Sequence, residues 1–266
     1  MNIEKIIDFE GRTALVTGAA GAIGRGIAEG LAVRGVRVFL TDLEPEAVER
    51  VVADFAAQGH QAGGLAADVA DEEQVRRLVD AALGFLDGRI DILVNVAGVV
   101  AQGKVEDITV EQWDRIFAVN CRGTFLPTKY VVPQMKVHKY GKIINFSSKS
   151  GKTGSAIMSH YSAAKAAVIG FTQALAYELA DSGINVNCLC PGITDETGVW
   201  SHVSAGYIQN LGKSRDEVVK QFTAKVPLKR LAKVEDVVAA TLFLAGSGAD
   251  YMTGQAINVT GGREMH

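Results

Sequence analysis

The sequence is poor in cysteine, proline and tryptophan, and the few cysteines exclude a class of protein. Its 266 residues include 3 cysteines, 5 prolines and 2 tryptophans. An odd, small number of cysteines in a chain of this length argues against a disulfide framework and for a reducing compartment, so we expect the cytoplasm. Cys188 and Cys190 fall in a strand-like run without further ligands at metal spacing. We therefore expect two buried thiols and no metal site.

Long apolar runs and a strong charge of one sign are also missing. No stretch of 18 or more uncharged apolar residues occurs, so we expect no membrane-spanning helix. The segment Met1 to Glu10 has no basic region followed by an apolar one, which argues against a signal peptide. The net charge is −3, with no long basic run. Nothing here predicts a nucleic-acid or membrane-surface partner.

What the sequence has is an alternation of short apolar runs with longer segments of helical period. This pattern predicts a single α/β domain of Rossmann type over residues 1–266, doubly wound, with a seven-stranded parallel sheet and helices on both faces. The predicted strands are Thr13–Thr17, Val36–Thr41, Ala62–Ala67, Ile92–Asn95, Lys142–Ser147, Ile184–Cys190 and Ala256–Val259. The predicted helices are Ile23–Arg34, Pro45–Gln58, Glu72–Leu86, Val110–His138, Ser159–Ser182 and Val234–Ala245.

Residues 195–226 interrupt this alternation after the sixth strand. The segment carries no clear strand signal and contains Trp200, His202, Tyr207 and Gln209. A long excursion at the carboxyl end of a parallel strand is where ligands are usually covered. We expect it to cover the substrate, and the alternative is a surface loop with small helices of its own.

A glycine-rich turn follows the first strand and opens the first helix. Glycines let the backbone turn tightly and approach a pyrophosphate, and the helix N-terminus offers free N–H groups to its phosphates. A strand before the turn and a helix after it make the pattern more specific than glycines alone. The expected contacts are Gly18, Gly21, Ala22, Ile23 and Gly24.

Asp42 and Leu43 end the second strand, where a carboxylate can bind the adenosine ribose. Asp42 would repel a 2′-phosphate, which predicts NAD rather than NADP as cofactor. The alternative is that Asp42 only caps the next helix. Arg25 and Arg37 are nearby cations that would favour a phosphate, but neither directly follows Asp42.

Two further strand ends complete the expected cofactor site. Asp68 and Val69 follow the third strand, where the carboxylate would bind the adenine amino group or serve only as a turn or capping residue. Asn95, Ala97 and Gly98 end the fourth strand, where small residues would let the backbone lie against the ribose.

Tyr161 and Lys165 are four residues apart, on one face of a helix, and Ser148 precedes them. A phenol has an ordinary pKa of about 10, too high for a base at neutral pH. An ammonium at about 4 Å would be worth roughly 4 kcal/mol and would bring that pKa near 7. Ser148 would hydrogen-bond a substrate oxygen. The alternative is a chance pair on a solvated helix face.

The chain resembles the short-chain dehydrogenase/reductase family over nearly its whole length, from Gly11 to Gly262. The family pattern Thr-Gly-x-x-x-Gly-x-Gly matches residues 17–24, with Ala22 at its middle glycine. The pattern Asn-Asn-Ala-Gly matches residues 95–98, with Val96 at its second asparagine. The resemblance implies a nicotinamide cofactor and a secondary alcohol or ketone as substrate.

The resemblance also implies catalytic residues. Asn120 matches the family's asparagine, which orders a water in a proton relay, and Ser148, Tyr161 and Lys165 match its serine, tyrosine and lysine. Ser147 competes for the serine role, but the spacing favours Ser148. The segment that meets the nicotinamide amide in this family corresponds here to Pro191, Gly192, Ile193 and Thr194.

The motifs are similar to those of sugar-alcohol members of the family, including sorbitol and sorbitol-6-phosphate 2-dehydrogenases. This favours a hydroxylated small-molecule substrate, a polyol or its phosphate, and Lys149 and Lys152 would meet it unless they belong to a solvated loop. The alternatives are an acetoin/diacetyl-type or 3-oxoacyl-carrier ketoreductase and, more remotely, a non-enzymatic nucleotide sensor. The family also implies a homotetramer, with interfaces that include the helices over 110–138 and 159–182 and the last strand. The aromatic residues on those two helices serve such an interface or the core.

Overall fold

A seven-stranded parallel sheet forms the centre of the protein. The computed structural model describes residues 8–198, Trp200 and residues 214–266. The strand order is β3-β2-β1-β4-β5-β6-β7, and every neighbouring pair is parallel, which confirms the predicted fold class. The strands are β1 (Thr13–Thr17), β2 (Arg37–Thr41), β3 (Ala62–Gly64), β4 (Ile92–Asn95), β5 (Gly141–Phe146), β6 (Ile184–Pro191) and β7 (Ala256–Val259). The largest difference is β3, which ends three residues before its predicted limit at Ala67.

Helices cover both faces of the sheet, over two separate cores. Along β1, Ala14 and Val16 face the core beneath the helices over residues 22–32, 45–57 and 234–245, whereas Leu15 faces the core beneath those over 72–85, 123–138 and 159–179. Both sets of side chains are apolar because both faces of a central parallel strand are buried. The helices are α1 (Ala22–Ala32), α2 (Pro45–Ala57), α3 (Glu72–Phe85), α4 (Val110–Phe117), α5 (Gly123–His138), α6 (Lys149–Thr153), α7 (Ser159–Leu179), α8 (Arg215–Thr223) and α9 (Val234–Ala245).

The chain order reverses between β1 and β4, and this reversal creates the crevice where the site lies. β1 pairs with β2 on one side and with β4 on the other. In open parallel sheets, ligands bind outside the carboxyl ends of the strands at such a switch point. The loops after β1 and β4 meet there, because the Ala97 N–H donates to Thr17 Oγ1 at 3.2 Å.

Two helical features differ from the sequence prediction. The single helix predicted over Val110–His138 is divided by a π-helical turn at Ala118–Arg122. The prediction lacks α6 and contains α8 only through the alternative of small helices within residues 195–226, because each helix spans fewer than ten residues and shows no long apolar period. A signal for α8 was present in Ser214 and Glu217, which form a capping box at its start.

None of the helices in the described ranges is long and apolar enough to cross a membrane. Cys188 and Cys190 are fully buried against Val168, as expected for two apolar thiols.

Candidate active site

The glycine-rich turn forms a tight cradle between β1 and α1. Gly18 has a φ of +65°, and a Cβ there would lie 2.9 Å from backbone atoms of Ala97. A Cβ on Gly24 would overlap the Gly18 carbonyl. No side chain caps α1, and its first turn has no acidic residue, so its N-terminus can accept an anion. Ala22, the departure from the family pattern, is exposed at the first position of α1 and so fits without repacking the core.

Asp42 holds this turn rather than the next helix. Its Oδ2 accepts from the Ala20 N–H at 2.9 Å, and its Oδ1 accepts from its neighbour Leu43 N–H at 2.8 Å. The N-cap position of α2 belongs to Glu44. The interpretation of Asp42 as the cap of α2 is therefore wrong, and its carboxylate faces the glycine-rich turn.

Both cations that would favour a phosphate beside Asp42 are paired elsewhere. Arg25 Nη2 lies 2.9 Å from Asp54 Oδ2. Arg37 Nη1 lies 2.6 Å from Asp87 Oδ2. Among the described residues, neither guanidinium forms a hydrogen bond with Asp42 or with the turn it holds.

On the predicted adenine side, Leu43 is an exposed apolar side chain and Asp68 belongs to a turn. Leu43 is 59% exposed next to Asp42. Asp68 Oδ1 accepts from the Ala70 N–H at 2.8 Å, and the cap of α3 is Asp71 instead. Val69 is buried.

At the end of β4, the Asn95 side chain lies in the core and Gly98 lies in the candidate site. The Asn95 side chain is buried and donates to Thr128 Oγ1 at 3.1 Å and to Asn145 Oδ1 at 2.9 Å. Its Oδ1 accepts no hydrogen bond from the residues that the structure describes. Gly98 lies beside the catalytic candidates, because a Cβ on it would be 2.7 Å from Asn120 Oδ1 and 3.2 Å from Lys165 Nζ.

The structure brings Ser148, Tyr161 and Lys165 together at the carboxyl end of β5. The Ser148 side chain lies beside the Tyr161 hydroxyl, close enough to lower the pKa of that phenol. Lys165 Nζ donates to the Phe146 carbonyl at 2.8 Å and lies 5.8 Å from the centroid of the Tyr161 ring. The carbonyl of Phe146 was not among the predicted site residues, since backbone groups carry no sequence signal.

The two adjacent serines have different partners. Ser147 Oγ donates to the Lys165 carbonyl at 2.7 Å and is buried. Ser148 is partly exposed, and besides its contact with Tyr161 its Oγ accepts from the Ser150 N–H at 3.1 Å. Ser147 therefore fixes the backbone of α7, and Ser148 is the serine beside the phenol.

Asn120 lies in the π-helical turn and is fully buried. Its Nδ2 donates to the Val99 carbonyl at 2.9 Å and to the Ile116 carbonyl at 3.0 Å. Its Oδ1 has no hydrogen-bond partner among the described residues and lies beside Gly98. A buried acceptor without a donor is costly, and π turns are frequent at functional sites, so this amide oxygen is available to the site.

The expectation of a phenol with a pKa near 7 is wrong for this arrangement. Burial raises the pKa of Tyr161 to about 12, against the hydrogen bond from Ser148, which lowers it. Burial also lowers the pKa of Lys165 to about 8. Desolvation disfavours both charged forms, and the ammonium is bound to Phe146 O rather than to the phenol oxygen. The phenol is therefore a neutral proton donor here.

The loop after β6 is fixed by backbone pairing. The Gly192 N–H donates to the Val259 carbonyl at 3.0 Å, and the Ala232 N–H donates to the Ile193 carbonyl at 3.0 Å. Thr194 forms an isolated parallel bridge with Ala232. These contacts fix the course of Pro191 to Thr194 beside the carboxyl end of the sheet.

An apolar cluster encloses one side of Tyr161, and we call it the Tyr161 cluster. Trp200 is buried in it, with its ring 5.8 Å from that of Phe222 in α8. Trp200, Val218 and Phe222 of the predicted excursion thus belong to or pack against this cluster, while His202, Tyr207 and Gln209 lie outside the described residues. The buried members of the cluster are Ile116, Met158, Tyr161, Ala164, Trp200, Val218 and Leu231.

Comparison with known protein families agrees with this geometry. A family model described as short chain dehydrogenase matches residues 12–207. This chain belongs to the short-chain dehydrogenase/reductase family. Among its relatives, an uncharacterized oxidoreductase of Thermotoga maritima is 39% identical over 96% of this chain and 98% of its own. A sorbitol dehydrogenase of Cereibacter sphaeroides is 38% identical over 97% and 99%.

Solved structures of similar proteins support the same assignment. A single-residue variant of the actinorhodin polyketide ketoreductase, solved with NADPH, has a TM-score of 0.91 at 36% identity, over 95% of this short-chain dehydrogenase and 97% of its own chain. A putative gluconate dehydrogenase from Agrobacterium tumefaciens has a TM-score of 0.88 at 33% identity, over 97% and 98%. No group of three or more metal-ligating side chains occurs in the parts of the chain that are described.

Proposed function

We propose that this short-chain dehydrogenase interconverts a secondary alcohol and a ketone with NAD, and that its substrate is a polyol or its phosphate. The observation that carries the proposal is the convergence of Ser148, Tyr161, Lys165 and Asn120 on one end of the sheet. A nucleotide sensor on the same fold would have no use for this acid/base set. The whole chain would act as one catalytic domain, with residues 195–226 covering the substrate.

The glycine cradle, the uncapped α1 and the Asp42 carboxylate fit a dinucleotide. When bound, the nicotinamide supplies or accepts the hydride. Gly18 to Gly24 would hold the pyrophosphate and Asp42 the ribose, with Leu43, Asp68 and Val69 on the adenine side. Asn95, Ala97 and Gly98 would line the ribose path, and Pro191 to Thr194 would meet the amide. Lys165 would bind the nicotinamide ribose.

The proton steps follow from the chain's own residues. In the reducing direction, the neutral Tyr161 phenol donates a proton to the substrate oxygen, which Ser148 holds by a hydrogen bond. In the oxidising direction, Tyr161 must first release its own proton outward past Lys165 and Asn120, and the resulting phenolate then takes the hydroxyl proton of the substrate. Positioned acids and bases of this kind contribute about 10²–10⁴-fold in rate.

The preference for NAD is supported by the charges around Asp42. Its carboxylate would repel a 2′-phosphate on the ribose that we propose it binds, and Arg25 and Arg37 are engaged with Asp54 and Asp87. Like charges at close range cost several kcal/mol, so we expect kcat/KM for NAD to exceed that for NADP by roughly tenfold or more. Comparable values for the two cofactors would contradict the role given to Asp42.

The polyol class is supported by the sorbitol dehydrogenase and by the putative gluconate dehydrogenase among the similar proteins. A ketoreductase is the second candidate, of 3-oxoacyl-carrier or acetoin/diacetyl type. A 3-oxoacyl-[acyl-carrier-protein] reductase of Aquifex aeolicus is 35% identical over 96% of this chain, and the Tyr161 cluster offers an apolar wall. A panel of polyols, polyol phosphates, acetoin and 3-oxoacyl thioesters, followed by NADH absorbance, separates these classes.

The mechanism is tested with Tyr161→Phe, which removes only the hydroxyl group. We expect kcat to fall about 10²–10⁴-fold on the best substrate of the panel. Tyr177→Phe is the matched control, because Tyr177 lies on the same helix and is 90% exposed. Turnover of Tyr161→Phe near that of the wild type would refute the mechanism.

We also propose that the protein is a homotetramer in the cytoplasm. Trp113 and Phe125 are 41% and 43% exposed on α4 and α5, and each forms a ring contact, with Phe117 and Phe171 respectively. These exposed aromatic pairs are typical of an interface rather than of a core. All three cysteines are free thiols, which suits a reducing compartment.

A further inference from the structure

Ile157 occupies a turn position that ordinarily takes glycine. The Met158 N–H donates to the Ser155 carbonyl at 3.2 Å, which closes a turn over residues 155–158. Ile157, the third residue of this turn, has a φ of +57°, whereas Ala156 before it does not adopt a positive φ. A turn with a positive φ at the third position alone is of type II, which favours glycine or asparagine there. Isoleucine is β-branched, so its backbone is strained in this conformation.

This strain sets Ile157 apart from the rest of the described chain. Four other non-glycine residues in the described ranges have a positive φ, and none of them is β-branched. They are Asp87, Lys139, Glu196 and Lys229. A strained residue persists only where its surroundings hold it in place, and such residues cluster at functional sites.

Contacts on three sides hold the turn around Ile157. The Ile157 carbonyl accepts from the Gly103 N–H at 2.8 Å, which joins the turn to the loop after β4. The Ile157 side chain is partly buried and packs against the Tyr161 cluster. The Ser155 N–H donates to Ser162 Oγ at 3.2 Å, which joins the turn to α7. The turn therefore lies fixed between the loop after β4, the Tyr161 cluster and α7.

Helix α7 begins directly after this turn and lacks the usual N-terminal cap. Met158 occupies the N-cap position, but its side chain forms no capping hydrogen bond, and the first turn has no acidic residue. Tyr161 is the third helical residue, within the first turn, where the backbone N–H groups have no helical partners. The Ser162 N–H donates to the Met158 carbonyl at 2.8 Å, so Tyr161 lies inside the first helical bond. Tyr161 is thus in the part of α7 that depends most on the preceding turn.

We propose that Ile157 is a positioning residue for Tyr161. The isoleucine side chain, held against the Tyr161 cluster by the left-handed turn, fixes the start of α7 in place of a capping side chain. It thereby fixes the phenol beside Ser148. Glycine would suit the turn better, but it has no side chain to pack against the cluster, so the strained isoleucine is retained. The inference rests on the proposed function, because it assumes that Tyr161 transfers the proton.

The kinetic test uses Ile157→Gly, which relieves the strain and removes the side chain. We expect a Tm within a few degrees of the wild type, because these two changes oppose each other. We expect kcat to fall about 10- to 100-fold, because a small displacement of a catalytic group is enough to slow the reaction to this extent. The KM for the substrate and the affinity for NADH should change little. Ile157→Val keeps a β-branched side chain and should keep kcat near that of the wild type.

Lys139→Gly is the matched control for the relief of strain. Lys139 is exposed and has a φ of +48° at the end of α5. We expect this variant to keep or raise its Tm, because glycine is favoured at such a helix end, and to keep its kcat. If Ile157→Gly does not fold, Ile157→Asn replaces it, because asparagine tolerates the left-handed region and is not β-branched.

Two kinetic results would overturn the positioning role. One is a kcat for Ile157→Gly within about threefold of the wild type. The other is a loss of kcat accompanied by equal losses in NADH affinity and in substrate KM, because that pattern indicates a general disruption of the site. Loss of kcat in Ile157→Val as large as in Ile157→Gly would also contradict the proposal, since the apolar anchor is still present.

Hydrogen exchange tests the same inference without turnover. In Ile157→Gly, amide exchange over residues 159–165 should be faster than in the wild type, while exchange over residues 170–179 of the same helix should be unchanged. Unchanged exchange over residues 159–165 would overturn the role of Ile157 and leave the oxidoreductase proposal intact. Absence of wild-type turnover across the whole substrate panel would instead refute the proposed function, and the exchange rates would still decide whether Ile157 fixes the start of α7.

Discussion

Gly98→Ala is the substitution that most directly tests how the catalytic groups are held. The added Cβ would lie 2.7 Å from Asn120 Oδ1 and 3.2 Å from Lys165 Nζ, whereas ordinary contact begins at 3.4 Å. The amide oxygen must therefore retreat by about 0.7 Å, the difference between 3.4 and 2.7 Å. It cannot do so freely, because Nδ2 of the same amide is held by the carbonyls of Val99 and Ile116.

The expected effect is larger on catalysis than on stability. Overpacking of this kind typically costs about 1–3 kcal/mol of the free energy of unfolding. A displacement approaching 1 Å in a catalytic group can lower the rate about 10²-fold. We therefore expect Gly98→Ala to remain folded, with a Tm a few degrees lower and a kcat lower by about two orders of magnitude.

The assay is kcat from NADH absorbance, with Tm and NADH affinity measured on the same samples. Gly170→Ala is the matched control, because Gly170 lies on α7 with Tyr161 and Lys165 and a Cβ there meets nothing within 4 Å. The control should keep its kcat and gain up to about 1 kcal/mol from helix propensity.

Two outcomes would refute this reasoning. One is a Gly98→Ala enzyme whose kcat stays within about threefold of the wild type, since residues in contact are expected to couple. The other is an effect of Gly98→Ala on kcat that is as large in the Asn120→Ala background as in the wild type. The clash with Oδ1 is absent in that background, so we expect the effect to be smaller there. If Gly98→Ala lowered only the affinity for NADH, the added Cβ would obstruct the cofactor rather than displace Asn120.

Three further predictions concern stability, cofactor binding and assembly. Lys165→Met should abolish turnover yet raise the free energy of unfolding at pH 7 by up to about 3 kcal/mol, because burial holds the Lys165 pKa at about 8, below its unfolded value of 10.5. Between pH 8 and 10 the unfolded chain binds more protons than the folded chain, so the free energy of unfolding of the wild type rises with pH there. The stability gained by Lys165→Met, measured by urea titration, should therefore shrink toward pH 10. A gain that stays constant with pH would contradict this. Gly24→Ala, whose Cβ would overlap Gly18 O, should lower Tm and NADH affinity, whereas Gly84→Ala, with open space around its Cβ, should not. Trp113→Glu should lower the gel-filtration mass, and Val33→Glu, also at an exposed apolar position, should not; a monomeric wild type would rule the tetramer out.

Much of the fold can be predicted from the sequence because its signals are local. β1, β4 and β7 follow from apolar runs of four or five residues bounded by turns, and α9 from an apolar period over Val234–Ala245. The seven-stranded parallel sheet follows from their alternation with helices. The spacing of Tyr161 and Lys165 identified the face of α7 that meets the site, since helical geometry alone places residues four apart together.

The family resemblance added what spacing could not, above all Asn120. Taken alone, Asn120 is an ordinary amide within a predicted helix. Within the π turn at Ala118–Arg122, the Asn120 side chain donates to the carbonyls of Val99 and Ile116, and the first of these bonds joins residues 21 positions apart. No periodicity within the helix reports a contact of that range.

By itself, then, the sequence determined the sheet, its flanking helices, the glycine-rich turn and the pairing of Tyr161 with Lys165, because each rests on neighbours along the chain. Only the tertiary structure decided the pKa of Tyr161 and the hydrogen-bond partners of the lysines nearby. Burial raises the Tyr161 pKa that spacing alone predicted to fall, and desolvation is a property of the packed chain. Two similar lysines also have different partners in the folded chain: Lys152 donates to a carbonyl of β7, and Lys149 lies near Glu264. The sequence does not predict these contacts, because the partners lie more than a hundred positions away.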